Sequence, residues 1–389
     1  YPTAGPGIRG QGIDCTVGAS SPLCPDLGFG AGPGGWTFGD MGQIIPFPEV
    51  HFDGQIWAQT MWDARRALGS SLVESLATRG QELAPPIPSF LDTRNAMFQA
   101  DLVATGGANA DALWQLFAAR GMGFFASSPD AADVTPIEDF SLPPDCSADP
   151  CGTISGTITD KATRKKLKNA SVFFAGHFSG FATDLADTTD NTGAFSISNV
   201  PFHAYPELVI DGVGYEQKTL AVTVDGDEVM NVKLVRDWAA LEAGATLKSF
   251  TPPDYAPFCG VNADGAFDLS LSAGWPSDAP GNGDSGVTGP RKAVVRLPKE
   301  VDVTSFGVAS GGSCGDGPEA GVRTFSIQTK VAGGKWVTAA TGTVDADSVL
   351  HTFKATAGKK DVRFLRFIMK TNHGDQLFMD VLEVTVRGK

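Results

Sequence analysis

The chain carries no His-Glu-x-x-His pair and no Gly-x4-Gly-Lys-[Ser/Thr] loop. A self-contained helix-borne zinc site and a P-loop nucleotide site are therefore excluded. No apolar run reaches the roughly 20 residues that a membrane-crossing helix requires. Basic residues are in deficit, 30 Lys and Arg against 44 Asp and Glu for a formal charge of −14. That balance argues against nucleic acid or an anionic membrane as a partner, since either needs a basic surface. Cysteine is sparse as well. Six are present, none in a Cys-x-x-Cys, and no His/Cys cluster has zinc-finger spacing, so a thiolate metal centre is not expected. The sequence opens on Tyr1 with neither Met nor a leader-like stretch, which reads as a processing or truncation point.

The six cysteines fall in close or domain-local pairs, Cys15 with Cys24, Cys146 with Cys151 and Cys259 with Cys314. Three disulfides in that order are the simplest of fifteen connectivities. They imply an oxidising, extracellular compartment and a secreted protein. Hydrophobic residues at 42% and charged residues at 19% describe a core-forming chain, and 389 residues exceed one ordinary domain.

Periodicity divides the chain. Residues 1–50 are irregular, with Arg9 the one charged side chain among the first ten. In the run from Glu49 to Leu68, Ile56, Trp57, Thr60, Met61, Ala64, Ala67 and Leu68 recur at three- and four-residue steps. That spacing predicts one buried face of a helix from about residue 53 to about residue 79, broken near Gly69-Ser-Ser71. His51 sits just before it, at the edge of a cleft. Ser89 opens a second helix with Asp92 as capping-box partner, and Leu91, Phe98 and Leu102 are expected on its buried face. Asn109 caps a third, which buries Leu113, Trp114, Leu116 and Phe117. A stretch rich in Ser, Pro and Asp from Ser127 to Pro150 reads as a linker.

After the linker the period changes to two. Short strands, Thr153–Thr159, Ala170–Phe174, Ala194–Ser198, Glu207–Ile210 and Thr219–Val224, are separated by turn residues and predict a β-sandwich. The basic run from Lys161 to Lys168 reads as a solvated hairpin turn, with an acidic-ligand site as the sharper alternative. Strands near Lys292–Leu297, Val301–Thr304, Thr324–Thr329, Val362–Ile368 and Val381–Val386 predict a jelly roll over about the last 150 residues. In it, Trp275 and Trp336 are candidate sugar-stacking platforms, with buried or turn-packing rings the commoner reading of such tryptophans, and Asp264, Asp268 and Asp316 are candidate Ca2+ ligands.

Three blocks resemble a known family in the right order: His51 to Leu68, Pro88 to Asp101 and Ala112 to Gly123. They look like the C-terminal, helical lobe of fungalysin-type secreted zinc metallopeptidases, which are relatives of thermolysin. The resemblance implies that His51 and, through Gly7-Ile-Arg9, Arg9 are catalytic residues that donate hydrogen bonds to the oxyanion of the tetrahedral intermediate. It implies Zn2+ as cofactor, with its ligands upstream of Tyr1 and no metal ligand in this chain. Glu49 or Asp53 is a candidate for orienting the imidazole. The family's usual Gly-Glu is replaced here by Gly54-Gln55. The sandwich resembles a carboxypeptidase-regulatory-like domain, through Gly156 to Asp160, Asn169 to Val172, Thr189 to Phe195 and Val213 to Tyr215. The last domain resembles a galactose-binding or discoidin jelly roll, through Arg363 to Phe367 and Phe378 to Glu383.

The expected architecture is multidomain: an all-α lobe of a metallopeptidase catalytic domain over 1–135, a linker over 136–150, an all-β sandwich over 151–236 and an all-β jelly roll over 240–389. The expected function is the C-terminal portion of an extracellular zinc metalloendopeptidase, inactive by itself. Its partners would be a protein or peptide substrate and an N-terminal zinc-binding lobe. The competing class is a non-catalytic binding protein that recognises carbohydrate through the jelly roll.

Overall fold

The computed structural model of the protein describes residues 9–46, 48–180, 184–281 and 288–389. A helical lobe, a β-sandwich and a larger two-sheet β domain follow one another along the chain. The pairs Cys15–Cys24, Cys146–Cys151 and Cys259–Cys314 are all disulfide-bonded.

The lobe consists of a leading loop and the helices α1 (Val50–Leu68), α2 (Ser70–Leu83), α3 (Phe90–Thr105) and α4 (Ala110–Ala119). The break or kink expected near Gly69 is a full stop that gives two helices. Gly69 holds φ 87° and ψ 152°, a conformation that only glycine adopts without strain, so the helical ladder stops and restarts. The first helix also starts earlier than its apolar stripe, because Glu49 caps it at the N-terminus. The Ser89–Asp92 capping box forms as expected. Asn109 precedes α4, but its side-chain amide bonds Asp101 instead of capping. Leu102 is half exposed, because α3 turns Leu91, Arg94, Asn95, Met97, Ala100 and Asp101 inward instead. Phe38, Leu76, Leu91, Met97, Leu113, Phe117 and Met122 form the lobe's core.

The stretch read as a linker does not hang free over its first half. Residues 127 and 137 bridge, and the Glu138 carboxylate accepts from Thr37 Oγ1 at 2.6 Å and from the Gly39 N–H at 3.1 Å. It thus lies back over the leading loop.

The sandwich is built from β1 (Cys151–Asp160), β2 (Ser171–Phe174), β3 (Ala186–Thr188), β4 (Ala194–Pro201), β5 (His203–Gly212), β6 (Tyr215–Val224) and β7 (Glu228–Leu234). One sheet has the order β4-β1-β7 and the other β3-β2-β5-β6. Alternate residues such as Ile154, Ile158, Val172, Phe174, Leu208 and Ile210 fill the space between them, as period-two patterning requires.

The last domain contains β8 (Thr246–Phe250), a short helix α5 (Ala256–Cys259), β9 (Arg291–Val301), β10 (Val303–Ala309), β11 (Val322–Lys330), β12 (Val337–Thr343), β13 (His351–Lys354), β14 (Val362–Asn372) and β15 (Glu383–Gly388). A five-stranded sheet, β12-β11-β14-β9-β8, faces a three-stranded one, β13-β10-β15, in the jelly-roll manner. Trp275, Phe306, Phe325, Phe367 and Val384 lie in its core.

Two seams join the domains. At the first, Arg94 and Asn95 on α3 both donate to the Gly176 carbonyl, at 2.7 and 2.8 Å, in the loop after β2. Ser127 Oγ donates to Glu207 at 2.6 Å, and the Phe125 ring stacks on His203. At the second, the Trp238 N–H donates to Val386 O at 2.8 Å, and Glu216 on β6 pairs with Arg387 on β15.

Candidate active-site wall

Glu49 organises the mouth of α1. Its Oε2 accepts the N–H of His51 at 2.9 Å and of Phe52 at 3.1 Å, two donors that a helix start leaves without partners. Its Oε1 lies 2.6 Å from Nδ1 of His51. Burial pushes this carboxyl up, but the bonds from the His51 ring and from the Phe52 and His51 N–H groups outweigh it and hold the group below the usual carboxylate range. With Glu49 ionised, Nδ1 carries the proton, and Nε2 is left to face a ligand.

Of the two carboxylates considered for orienting the imidazole, Asp53 does a different job. Its oxygens accept the Gly42 N–H and the Glu49 N–H, both at 2.9 Å, and so position the capping residue itself. His51 is inside the first turn of α1 and exposed, not ahead of the helix. It therefore sits where the positive end of a 19-residue helix favours negative charge.

Arg9 meets His51 through the backbone, its Nη1 donating to the His51 carbonyl at 3.0 Å. Gly7 and Ile8 of its motif lie outside the described residues. The loop that carries Arg9 is fastened by α1. Gln55 Oε1 accepts Gly10 N–H at 3.0 Å and Gln11 N–H at 3.4 Å, while its amide donates to the His51 and Phe52 carbonyls. A glutamate at this position could accept but not donate, so the departure from the family pattern has a local structural use. One turn on, Gln59 accepts from Trp36 N and donates to Gln11 Oε1 and Gly12 O.

Sequence patterning missed the hub beneath this wall. Arg120, wholly buried at the end of α4, pairs with Asp63 and donates to the carbonyls of Trp36 and Cys15 and to Gln59 Oε1. A charged residue at the end of an apolar helix followed by Gly121 was its only signal. A cavity of about 290 Å3 adjoins the wall, lined by Phe38, Glu49, Val50, Phe90 and Asp130 among others.

The donor set does not fit zinc. Among the described residues no three His, Cys, Asp or Glu side chains converge as a metal group. His51 pairs with Glu49, His177 is buried with Nε2 on the Phe124 carbonyl, His351 pairs with Asp347 and His373 bonds the Val344 carbonyl.

The candidate residues of the jelly roll are not brought together either. Trp275 is 0% exposed and cannot stack on a ligand, because its strand-like backbone bridges Val381 inside the core. Trp336 is half-buried, with the Arg366 guanidinium 4.0 Å over its ring and Lys330 Nζ at 5.0 Å. Asp268 interacts with Asp264 and Glu383, whereas Asp316 interacts with the buried Asp380, so the three candidate Ca2+ ligands do not make one site. Gly311 to Gly315 has the spacing of a nucleophile elbow, yet Ser313 is buried with its hydroxyl on the Ala273 carbonyl, and Cys314 is disulfide-bonded.

Solved structures with partial likeness include the F5/8 type C domain of a Bacteroides fragilis protein, at 18% identity and TM-score 0.32 over 38% of this chain and 93% of that one. The family 32 carbohydrate-binding module of Streptococcus pneumoniae EndoD aligns at 14% identity and TM-score 0.30, over 39% of this chain and 99% of that one. The extracellular metalloproteinase MEP of Pyricularia oryzae is 30% identical over 116 residues, 24% of this chain and 18% of that protein. Extracellular metalloproteinase 3 of Trichophyton rubrum is 32% identical over 119 residues, 25% of this chain and 18% of that protein. The chain thus spans less than a fifth of the length of these two curated relatives. Residues 36–126 match the family model of the fungalysin metallopeptidases (M36), and residues 154–243 that of the CarboxypepD_reg-like domain. The chain is therefore multidomain, a segment of fungalysin metallopeptidase likeness followed by a domain of CarboxypepD_reg likeness.

Proposed function

We propose that this chain forms the oxyanion-binding wall of an extracellular zinc metalloendopeptidase that cleaves protein or peptide substrates. The zinc ligands and the base come from a His-Glu-x-x-His lobe outside this sequence. The observation that carries this reading is the Glu49–His51–Arg9 arrangement at the start of α1, within and beside the segment of fungalysin likeness.

Chemically, the wall's task is to meet negative charge that develops on the scissile carbonyl oxygen. Glu49 holds the ring by Nδ1, so that Nε2 donates when the imidazole carries its second proton, and Arg9 holds a guanidinium beside the same turn. Fixed donors in a partly dehydrated cleft contribute about 3 kcal/mol each to such a transition state. Among the described residues no His, Cys, Asp and Glu group converges to hold a metal, which is why this reading takes the activated water from the other lobe.

The test is casein or peptide hydrolysis by the full-length product, with His51→Ala and Arg9→Ala beside it. A fall in kcat of about 100-fold or more for His51→Ala, with an unaltered fold, is the expected result. Undiminished activity, or an upstream coding sequence with no His-Glu-x-x-His, would overturn the proposal.

A further inference from the structure

We infer that the seam between the sandwich and the jelly roll is a binding site for an oxyanion: the carboxylate, phosphate or sulfate group of a small acidic ligand. A cavity of about 590 Å3 opens there, lined by Lys161, Glu216, Arg236, Thr304, Ser305, Thr352 and Arg387 among others. In a protein of charge −14 this is a local excess of positive groups. Its one side-chain carboxylate, Glu216, is already engaged by Arg387 and by Thr385 Oγ1, and Lys389 also lines the cavity. Lys161 and Arg236 have no ion pair among the described residues.

Arg236 is the centre of the argument. Its guanidinium carbon lies 4.2 Å from the Trp238 ring and 5.5 Å from the Tyr215 ring. Its Nε is buried with no hydrogen-bond acceptor among the described residues. A buried donor without an acceptor is a standing cost, and an oxyanion entering the cavity is the kind of group that relieves it. A planar, pre-oriented guanidinium suits a bidentate oxyanion better than a mobile ammonium does. Hydroxyls add neutral donors along the wall. Thr352 Oγ1 accepts from Arg387, so its own proton is available, and Ser305 lies beside it.

The four lining cations, Lys161, Arg236, Arg387 and Lys389, come from different parts of the chain. Lys161 follows β1 of the sandwich, Arg236 lies in the connector after β7, and Arg387 belongs to β15 of the jelly roll. A ligand that spans them ties the two β domains together. The basic run that begins at Lys161 supplies one wall residue, while Arg164, Lys165, Lys166 and Lys168 stay exposed in the turn.

This inference is independent of the peptidase reading, because no residue of the α1 wall takes part. The test is calorimetric titration of the intact chain with sodium sulfate, sodium phosphate and sodium citrate, against chloride at matched ionic strength. One saturable site is expected, about tenfold weaker in Lys161→Gln and weaker again in Arg236→Gln. Lys165→Gln, in the turn but outside the cavity, should bind as the parent does. Sulfate or phosphate binding best marks a site for a single tetrahedral group, and citrate binding best marks one for a polycarboxylate. Arg236→Gln also removes packing against Trp238, so Lys161→Gln, an exposed position, decides the case if that variant unfolds. No saturable binding beyond chloride, or equal binding by Lys161→Gln, overturns the proposal.

Discussion

Glu49 Oε1 lies 2.6 Å from Nδ1 of His51 while the other oxygen of the same carboxylate caps α1. One side chain therefore sets both where the helix starts and how the imidazole is turned. Substitution by glutamine separates the two tasks. Glu49→Gln keeps an acceptor for the cap and removes the charge that holds the ring. On the proposed function, kcat of the full-length product should fall about tenfold with little change in KM. Chain stability should change by no more than about 0.5 kcal/mol. A loss of stability with kcat unchanged would show that the cap is its only task. Because the folded pKa of Glu49 is below its ordinary 4.5, its contribution is present above that value and lost as pH falls through the folded pKa.

Arg120→Met should be among the most damaging single changes in the lobe. It leaves the Asp63 carboxylate, the Cys15 and Trp36 carbonyls and Gln59 Oε1 short of a donor at once. Urea denaturation should report a loss of about 3 kcal/mol or more. A loss under about 1 kcal/mol would mean that water replaces the guanidinium.

Gln55→Glu restores the family's residue and tests its replacement. The carboxylate would still accept from Gly10 and Gln11 but would face the His51 and Phe52 carbonyls with no proton to offer. Faster hydrogen exchange at the Gly10 and Gln11 amides is expected, with about 1–2 kcal/mol lost at neutral pH.

Asp237 gives the jelly roll a pH dependence of unusual sign. Burial pushes its carboxyl up to about 7, against the Val386 and Ala239 N–H groups that it accepts. Burial likewise pushes Asp268 up to about 6, and Glu383 is raised by burial and by the charges of Asp237 and Asp268. Between the unfolded value of 3.8 and the folded value of about 7, the folded state holds the extra proton, so stability falls as pH rises through that window. Thermal unfolding of this domain should be several degrees higher at pH 5 than at pH 8. Asp237→Asn should flatten the difference, and an unchanged slope would assign it elsewhere.

Gly176→Ala probes the first seam. Gly176 holds φ +81°, and an added Cβ would lie 2.8 Å from Leu91 Cδ1 and 2.9 Å from the Ala126 carbonyl. A loss of about 1–3 kcal/mol is expected, with the lobe and the sandwich unfolding at separate temperatures instead of together. A single shared transition in the variant would count against the coupling.

How far the sequence could be read depended on what each feature leaves in it. The three disulfides, the Ser89–Asp92 box and the period-two strands are local, and each was legible from spacing. Gly69 announced a break but not its depth, since a kink and a full stop use the same residue. Leu102 was misplaced because α3 buries Arg94, Asn95 and Asp101, polar residues that a hydrophobic-face argument puts outside. For Trp275 both a sugar platform and a buried ring were open, and the structure gives the buried one, which a Gly- and Ser-rich loop does not mark in the sequence. The pairing of His51 with Glu49 was one of two local options, whereas the Arg9 contact spans 42 positions and no periodicity encodes it.

The carbonyl of Gly176, accepting from both Arg94 and Asn95, makes the helical lobe and the sandwich one inherited unit. Composition alone draws a boundary near residue 150, where a gene could be recombined. A lobe spliced there to a foreign sandwich would lose the bonds that Arg94 and the Asn95 amide both make to that carbonyl, so the compositional boundary is a poor place for exchange.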